Sequence, residues 1–155
     1  AGDCCARLWD LGAGNGGAGV GAPVALLPAH QGPIFAARWS SDGALALTAG
    51  QDGLLRVLDF RAGGNGGVAF DIDAARGPIL AACFRPEGGG GGGHGEVATS
   101  HEDGTCQVWD LRSRRQLASL GSHTDEVRAV AFSPDGALLL TASFDCTAAL
   151  HDCRG

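Results

Sequence analysis

The chain has 155 residues, 45% of them hydrophobic, and its 11 basic residues against 17 acidic ones give a formal charge of -6. That is enough apolar material for one ordinary globular domain, and the acidic balance argues against nucleic acid or an anionic membrane as the main partner, since both select for a basic face. No apolar run approaches the roughly 20 residues of a membrane helix, the start lacks a signal-peptide pattern, and six cysteines without short paired spacings read as reduced structural thiols, not as a disulfide framework or a zinc site.

The first element is a short strand in DCCARLWD (Asp3 to Asp10), followed by the glycine-rich LGAGNGGAGVGA (Leu11 to Ala22) and an apolar strand in PVALL (Pro23 to Leu27). From His30 a longer unit begins. Its first strand places Ile34, Ala37 and Trp39 at offsets of three and two, an alternation broken once, which predicts a β-bulge near the strand start. The turn SSDG follows at Ser40, then the strand ALALTAG, the turn QDG, and a third strand, LLRVLD, closing at Asp59. After RAGGNGG (Arg61 to Gly67) a fourth strand fits VAFDI, Val68 to Ile72. The next unit starts at Ala75, repeats the broken alternation at Ile79, Ala82 and Phe84, closes with VWD at Asp110, and has its fourth strand in QLASL, Gln116 to Leu120. Its first hairpin is lengthened by EGGGGGGHG (Glu87 to Gly95), so that Phe84 to Thr99 spans six more positions than Phe132 to Thr141 in the last unit. The last unit, Ser122 to Asp152, has Val127, Val130 and Phe132 in its first strand, the turn SPDG at Ser133, and an ending in His-Asp. No segment has a helical period. The glycine runs read as flexible surface loops, because no strand-loop-helix context or Lys-Ser/Thr accompanies them as a phosphate cradle would require.

These units align without forcing. Trp39, Phe84 and Phe132 fall in one column, Asp52, Asp103 and Asp145 in another, and the closing Asp recurs at Asp10, Asp59, Asp110 and Asp152. A period of about 45 residues with a Trp-Asp ending marks propeller blades. The frame of His, a bulged strand ending in an aromatic, SPDG, TAS or TAG, a turn Asp and a closing WD resembles the WD-repeat β-propeller family over nearly the whole chain. The resemblance implies an all-β fold of four-stranded antiparallel blades, here an incomplete open arc of a larger propeller. Residues 1–27 end a preceding blade, 28–72 form one blade, 73–120 a blade with the glycine-rich hairpin insertion, and 121–155 a blade lacking its outer strand. Strands apolar on both faces, such as ALLLTA, fit blades buried between neighbours. The absence of methionine and the start at Ala1 predict a piece of a longer protein.

The family's blades carry a hydrogen-bonded tetrad of His, Ser/Thr, Asp and Trp. Carried over by position, the first full copy offers His30, Thr48, Asp52 and Leu58, the middle one Ala75, Thr99, Asp103 and Trp109, and the last His123, Thr141, Asp145 and His151. None is complete, and His151 keeps a polar ring where the indole belongs. The structural reading of these positions outweighs a catalytic or metal cluster, and His94 and His101 show no ligand partner at regular spacing. No catalytic residue, metal ligand or cofactor is therefore expected. The resemblance implies a non-catalytic scaffold for protein-protein interaction, binding other proteins or peptides and the remaining blades of its parent, with the cytoplasm as default address and nucleus or cilium also compatible. The matching partner-binding positions are Pro33, Phe35 and Gln51, then Pro78, Leu80 and Glu102, then Glu126, Arg128 and Phe144. Phe35 and Leu80 are expected to form an apolar floor edged by Arg128 and Glu102, with Arg128 pairing to an acidic group. The alternatives are an RNA-associated component using the RSRR patch, Arg112 to Arg115, and, as the weakest reading, an enzyme.

Overall fold

The computed structural model describes residues 4–9, 25–27, 30–61, 67–86 and 95–154, and its regular elements are all strands. Strands β1 (Arg7–Leu8) and β2 (Ala25–Leu26) pair antiparallel. Blade A is the four-stranded meander of β3 (Ile34–Trp39), β4 (Leu45–Gly50), β5 (Leu54–Asp59) and β6 (Gly67–Asp73). Blade B repeats it with β7 (Ile79–Phe84), β8 (Glu96–His101), β9 (Thr105–Asp110) and β10 (Arg115–Gly121). Blade C has three strands, β11 (Val127–Phe132), β12 (Leu138–Ser143) and β13 (Ala148–Asp152). Asp10, the segment Leu11 to Ala22, and most of the two other glycine-rich runs, with His94, lie outside the described residues.

Local chemistry fixes the hairpins. In blade A the Ser40 hydroxyl donates to Asp42 at 2.5 Å, Asp42 accepts the Ala44 amide at 3.0 Å, and Gly43 supplies the left-handed φ of 69° that the turn demands. Ser133, Asp135 and Gly136 repeat the arrangement in blade C. The three innermost strands carry the expected bulges: pairing slips between Ile34 and Ala36, Ile79 and Ala81, and Val127 and Ala129. Phe35, Leu80 and Arg128 are thus the extra residues. Further slips in the outer pairings, at Val57/Leu58 and Gln116/Ala118, have no counterpart in the apolar pattern.

Side chains alternate between the two faces of each strand, so a blade buries itself only between neighbours. Leu45, Leu47, Leu55 and Val57 of blade A meet Ile79, Val97 and Trp109 of blade B. On blade A's other face, Ala46 and Leu58 pack with Leu27, Ala6 and Leu8. On blade B's far face, Ala98, Val108 and Cys83 meet Leu139, Val130 and Phe132 of blade C. Each fully buried leucine at these seams stabilises the fold by about 1.5 to 3 kcal/mol relative to exposure. The column of Trp39, Phe84 and Phe132 is not equivalent in burial. Phe84 and Phe132 pack at seams, whereas Trp39 is 51% exposed and touches Phe60 with ring centroids 4.9 Å apart, because only the short β1 and β2 stand on that side among the described residues.

Cys83, Cys106, Cys146 and Cys153 are free thiols. Burial pushes Cys83 up to about 11 and Cys106 up to about 12, which leaves almost no reactive thiolate at neutral pH. A half-buried arginine clasps blade B to blade C: Arg85 donates from Nε to the Gly136 carbonyl at 2.8 Å, from Nη2 to the Cys153 carbonyl at 2.8 Å, and from Nη1 to Glu96 at 2.5 Å. Its guanidinium also lies 5.8 Å from the centroid of the Phe132 ring.

The turn before each third strand needs a left-handed residue. Gly53 and Gly104 serve in blades A and B, at φ of 73° and 81°, but blade C has Cys146 there at 66°. A side chain is strained in that region, so Cys146→Gly is expected to raise stability by about 0.5 to 1 kcal/mol in urea denaturation. An unchanged or lowered midpoint would mean that the exposed thiol makes a contact worth more than the strain.

Candidate functional site

In blade A the loop before β3 holds His30 over the sheet. His30 Nδ1 donates to the Asp52 carboxylate at 2.9 Å, since a carboxylate only accepts, and Nε2 meets the Thr48 hydroxyl at 2.9 Å. Burial works to raise the Asp52 pKa, but hydrogen bonds from His30 and from the Gln31 and Leu54 amides outweigh it and hold the carboxyl below its ordinary value. Leu58 stands in the fourth position and is apolar and buried. Blade C repeats the link, with His123 bonded to Asp145 at 2.9 Å and Thr141 at 2.8 Å. Hydrogen bonding from Thr147 is the main cause of an Asp145 pKa far below the carboxylate range. His151 lies 3.5 Å from Thr141 and nearer, 3.1 Å, to the Ser122 hydroxyl, so the ring in the indole's place touches the network only at long range and is held mainly by serine.

Blade B is rewired. Trp109 donates from Nε1 to Thr99 Oγ1 at 3.0 Å, but Ala75 offers no imidazole to continue the chain. The ring comes instead from the end of β8: His101 Nε2 lies 3.0 Å from the same Thr99 oxygen, fully buried. Asp103, left without a histidine, takes Arg76 at 3.1 Å on the surface. Sequence reasoning set His101 aside as a scattered histidine. The available signal was positional, since a His stands where the other copies have Gly50 and Ser143, in the one copy whose leading His is replaced.

Burial lowers the His101 pKa from 6.5, against the opposing field of Asp103, and burial together with the charge of His123 lowers that of His151. A histidine depressed in the folded state contributes its full stability above the unfolded value of 6.5 and loses it as pH falls through 6.5 toward the folded value. The melting temperature is therefore expected to hold steady from about pH 8 to about pH 7 and to drop by about pH 5.5. His101→Asn should make the drop shallower. A flat wild-type profile over this window would show that neither ring is held neutral by the fold.

At the same end of the blades lie the loops before the first strands and the turns before the third strands. Phe144 is 60% exposed and Phe35 48% exposed. The Arg128 guanidinium stacks 4.9 Å over the Phe144 ring and is tethered by Glu126 at 3.0 Å. Pro33, Gln51 and Glu102 are exposed, and Pro78 and Glu126 half-buried. The expected floor of Phe35 and Leu80 does not form. Leu80 is buried, because β7 is the central innermost strand and packs against both β3 and β11. The RSRR patch lies at the opposite end, where the guanidinium of Arg114 sits 4.6 Å over the Phe70 ring of blade A.

The family model for the WD domain, G-beta repeat, matches residues 21–59 and 114–152, together half of the chain. The chain belongs to the WD40 repeat family. The matched repeats run from an outer strand through the next blade's first three strands, and the middle copy between them is the rewired one. Among curated proteins the chain is similar to the Protein LST8 homolog of Drosophila melanogaster, 29% identical over 90% of this chain and 40% of that protein. It is similar to the guanine nucleotide-binding protein subunit beta of Arabidopsis thaliana, 28% identical over 92% of this chain and 36% of the relative. A shorter stretch is 43% identical to eukaryotic translation initiation factor 3 subunit I of Culex quinquefasciatus, over 36% of this chain and 17% of that one. The chain thus spans well under half the length of these WD40 relatives.

Proposed function

We propose that the chain is a run of blades within a larger WD40 propeller that acts as a non-catalytic platform for other proteins or peptides, docking them on the rim around Phe144, Arg128 and Phe35. The relatives named as subunits of a G protein and of an initiation factor support an assembly role. The observation that carries the rim is Phe144, whose exposed ring lies under a tethered guanidinium, at a turn whose geometry is met by Asp145 and Thr147 without any aromatic. Aromatic residues and arginine are enriched at protein interfaces relative to the rest of the surface.

The test is selection of a random peptide library on the 155-residue chain. Enriched peptides should bind Phe144→Ala and Arg128→Ala, which strip out the ring and its brace, at least about tenfold more weakly, the loss of one hot-spot contact. The thermal melt of each variant should match the parent. Peptides that bind all three proteins equally would place the docking surface elsewhere.

A further inference from the structure

Charge is unevenly divided between the two ends of the blades. Among the described residues, the end opposite the rim carries six carboxylates and six arginines in its turns and at the strand ends beside them. The rim carries seven carboxylates and two arginines. Both of those arginines are already committed, Arg76 to Asp103 at 3.1 Å and Arg128 to Glu126 at 3.0 Å. Asp52 and Asp145 are tied to histidines. That leaves Asp73, Glu102 and Asp125, one on each blade, exposed and without a basic partner among the described residues. An acidic ligand on this rim would have to break existing ion pairs and then meet surplus carboxylates, a double penalty.

We infer that the rim docks a basic segment of a partner protein, whose Arg or Lys side chains pair with Asp73, Glu102 and Asp125 while one cation or apolar group covers Phe144. This rests on the platform reading and gives the partner's chemistry. It reverses the polarity expected for Arg128, which serves as the brace of Phe144 instead of as the group that captures charge. Exposed phenylalanine faces suit the same ligand, since cations are attracted to the negative face of an aromatic ring. The excess of negative field at one end also draws a basic segment to that end in preference to the other.

The test uses fluorescently labelled octa-arginine and octa-glutamate peptides with the 155-residue chain, followed by anisotropy at about 50 and about 300 mM sodium chloride, which shortens the screening length severalfold. Octa-arginine should bind and weaken by about tenfold or more at the higher salt, and octa-glutamate should not bind. The double variant Glu102→Lys/Asp125→Lys should lose at least about tenfold at low salt, whereas Asp59→Lys/Asp152→Lys, the same charge change at the opposite end, should lose less than about threefold. Equal losses from the two variants would reduce the effect to net charge and overturn the inference, as would capture of octa-glutamate. The library experiment separates the two levels. Phe144-dependent peptides that prove acidic or uncharged would end this inference and leave the platform standing, while the absence of any Phe144-dependent peptide would remove both.

Discussion

Trp109→Ala is expected to lower the unfolding free energy by about 3 to 5 kcal/mol, the cost of emptying an aromatic site in a packed interior. The indole is 6% exposed, sits in the cluster that joins blades A and B, and is pinned by its hydrogen bond to Thr99, itself fully buried. Neither neighbour can collapse freely into the space, because the strands on both sides are fixed by their own ladders. Trp109→Phe separates the two contributions. It keeps most of the apolar contact but removes the donor that Thr99 accepts from, and should cost about 1 to 3 kcal/mol. Urea denaturation followed by far-ultraviolet circular dichroism reads both. A loss below about 1 kcal/mol for the alanine variant would show that the seam between the blades does not depend on the indole.

The second large effect is a coupled one. His101→Gly and Ala75→His are each expected to cost about 2 kcal/mol or more, and the double variant should recover at least about 1 kcal/mol relative to their sum. In blade A the position matching His101 is Gly50, where a Cβ would collide with the Pro33 carbonyl oxygen, so the loop carrying His30 closes over the strand end. In blade B the loop stands differently, with Ala75 at φ 53° and Gly77 at φ 74°, and the His101 ring uses the space near Thr99. One ring fits, from either side. Adding a second overpacks the site, and removing the only one leaves the Thr99 hydroxyl short of a partner. The double variant exchanges the blade B arrangement for that of blade A. Strict additivity in the double-mutant cycle would count against a shared slot.

The blade frame was largely legible because it rests on short-range chemistry. Ser-x-Asp-Gly turns, the broken alternation at Ile34, Ile79 and Val127, and the recurring turn Asp each have a local cause, and the strands and bulges lie where those residues put them. What escaped depends on neighbours that a single repeat does not encode. Leu80 and Phe35 hold the same place in the same bulge, yet one is buried and the other exposed, because among the described residues only β7 has an innermost strand packed on each side. Likewise His101 has no meaning within its own strand. Its role follows from a substitution 26 positions earlier, at Ala75. The polarity of charge was also hidden, since it emerges only when turns distant in sequence are gathered at one end.

The offset between repeat and blade has a mechanical side. The matched segment 114–152 begins on β10, which is hydrogen-bonded to β9 in blade B, and then supplies all of blade C. Arg85 adds a second tie, from blade B to the carbonyl of Cys153 just past the last strand of blade C. Each covalent repeat therefore straddles two sheets, like a brick laid across a joint. Pulling one repeat free tears the outer strand from the sheet before it, so nearest-neighbour coupling is built into the chain as well as into the packing. Unfolding should then propagate through several blades at once, and slowly exchanging amides in β8, β9, β11 and β12 should report one shared opening rather than a blade-by-blade series.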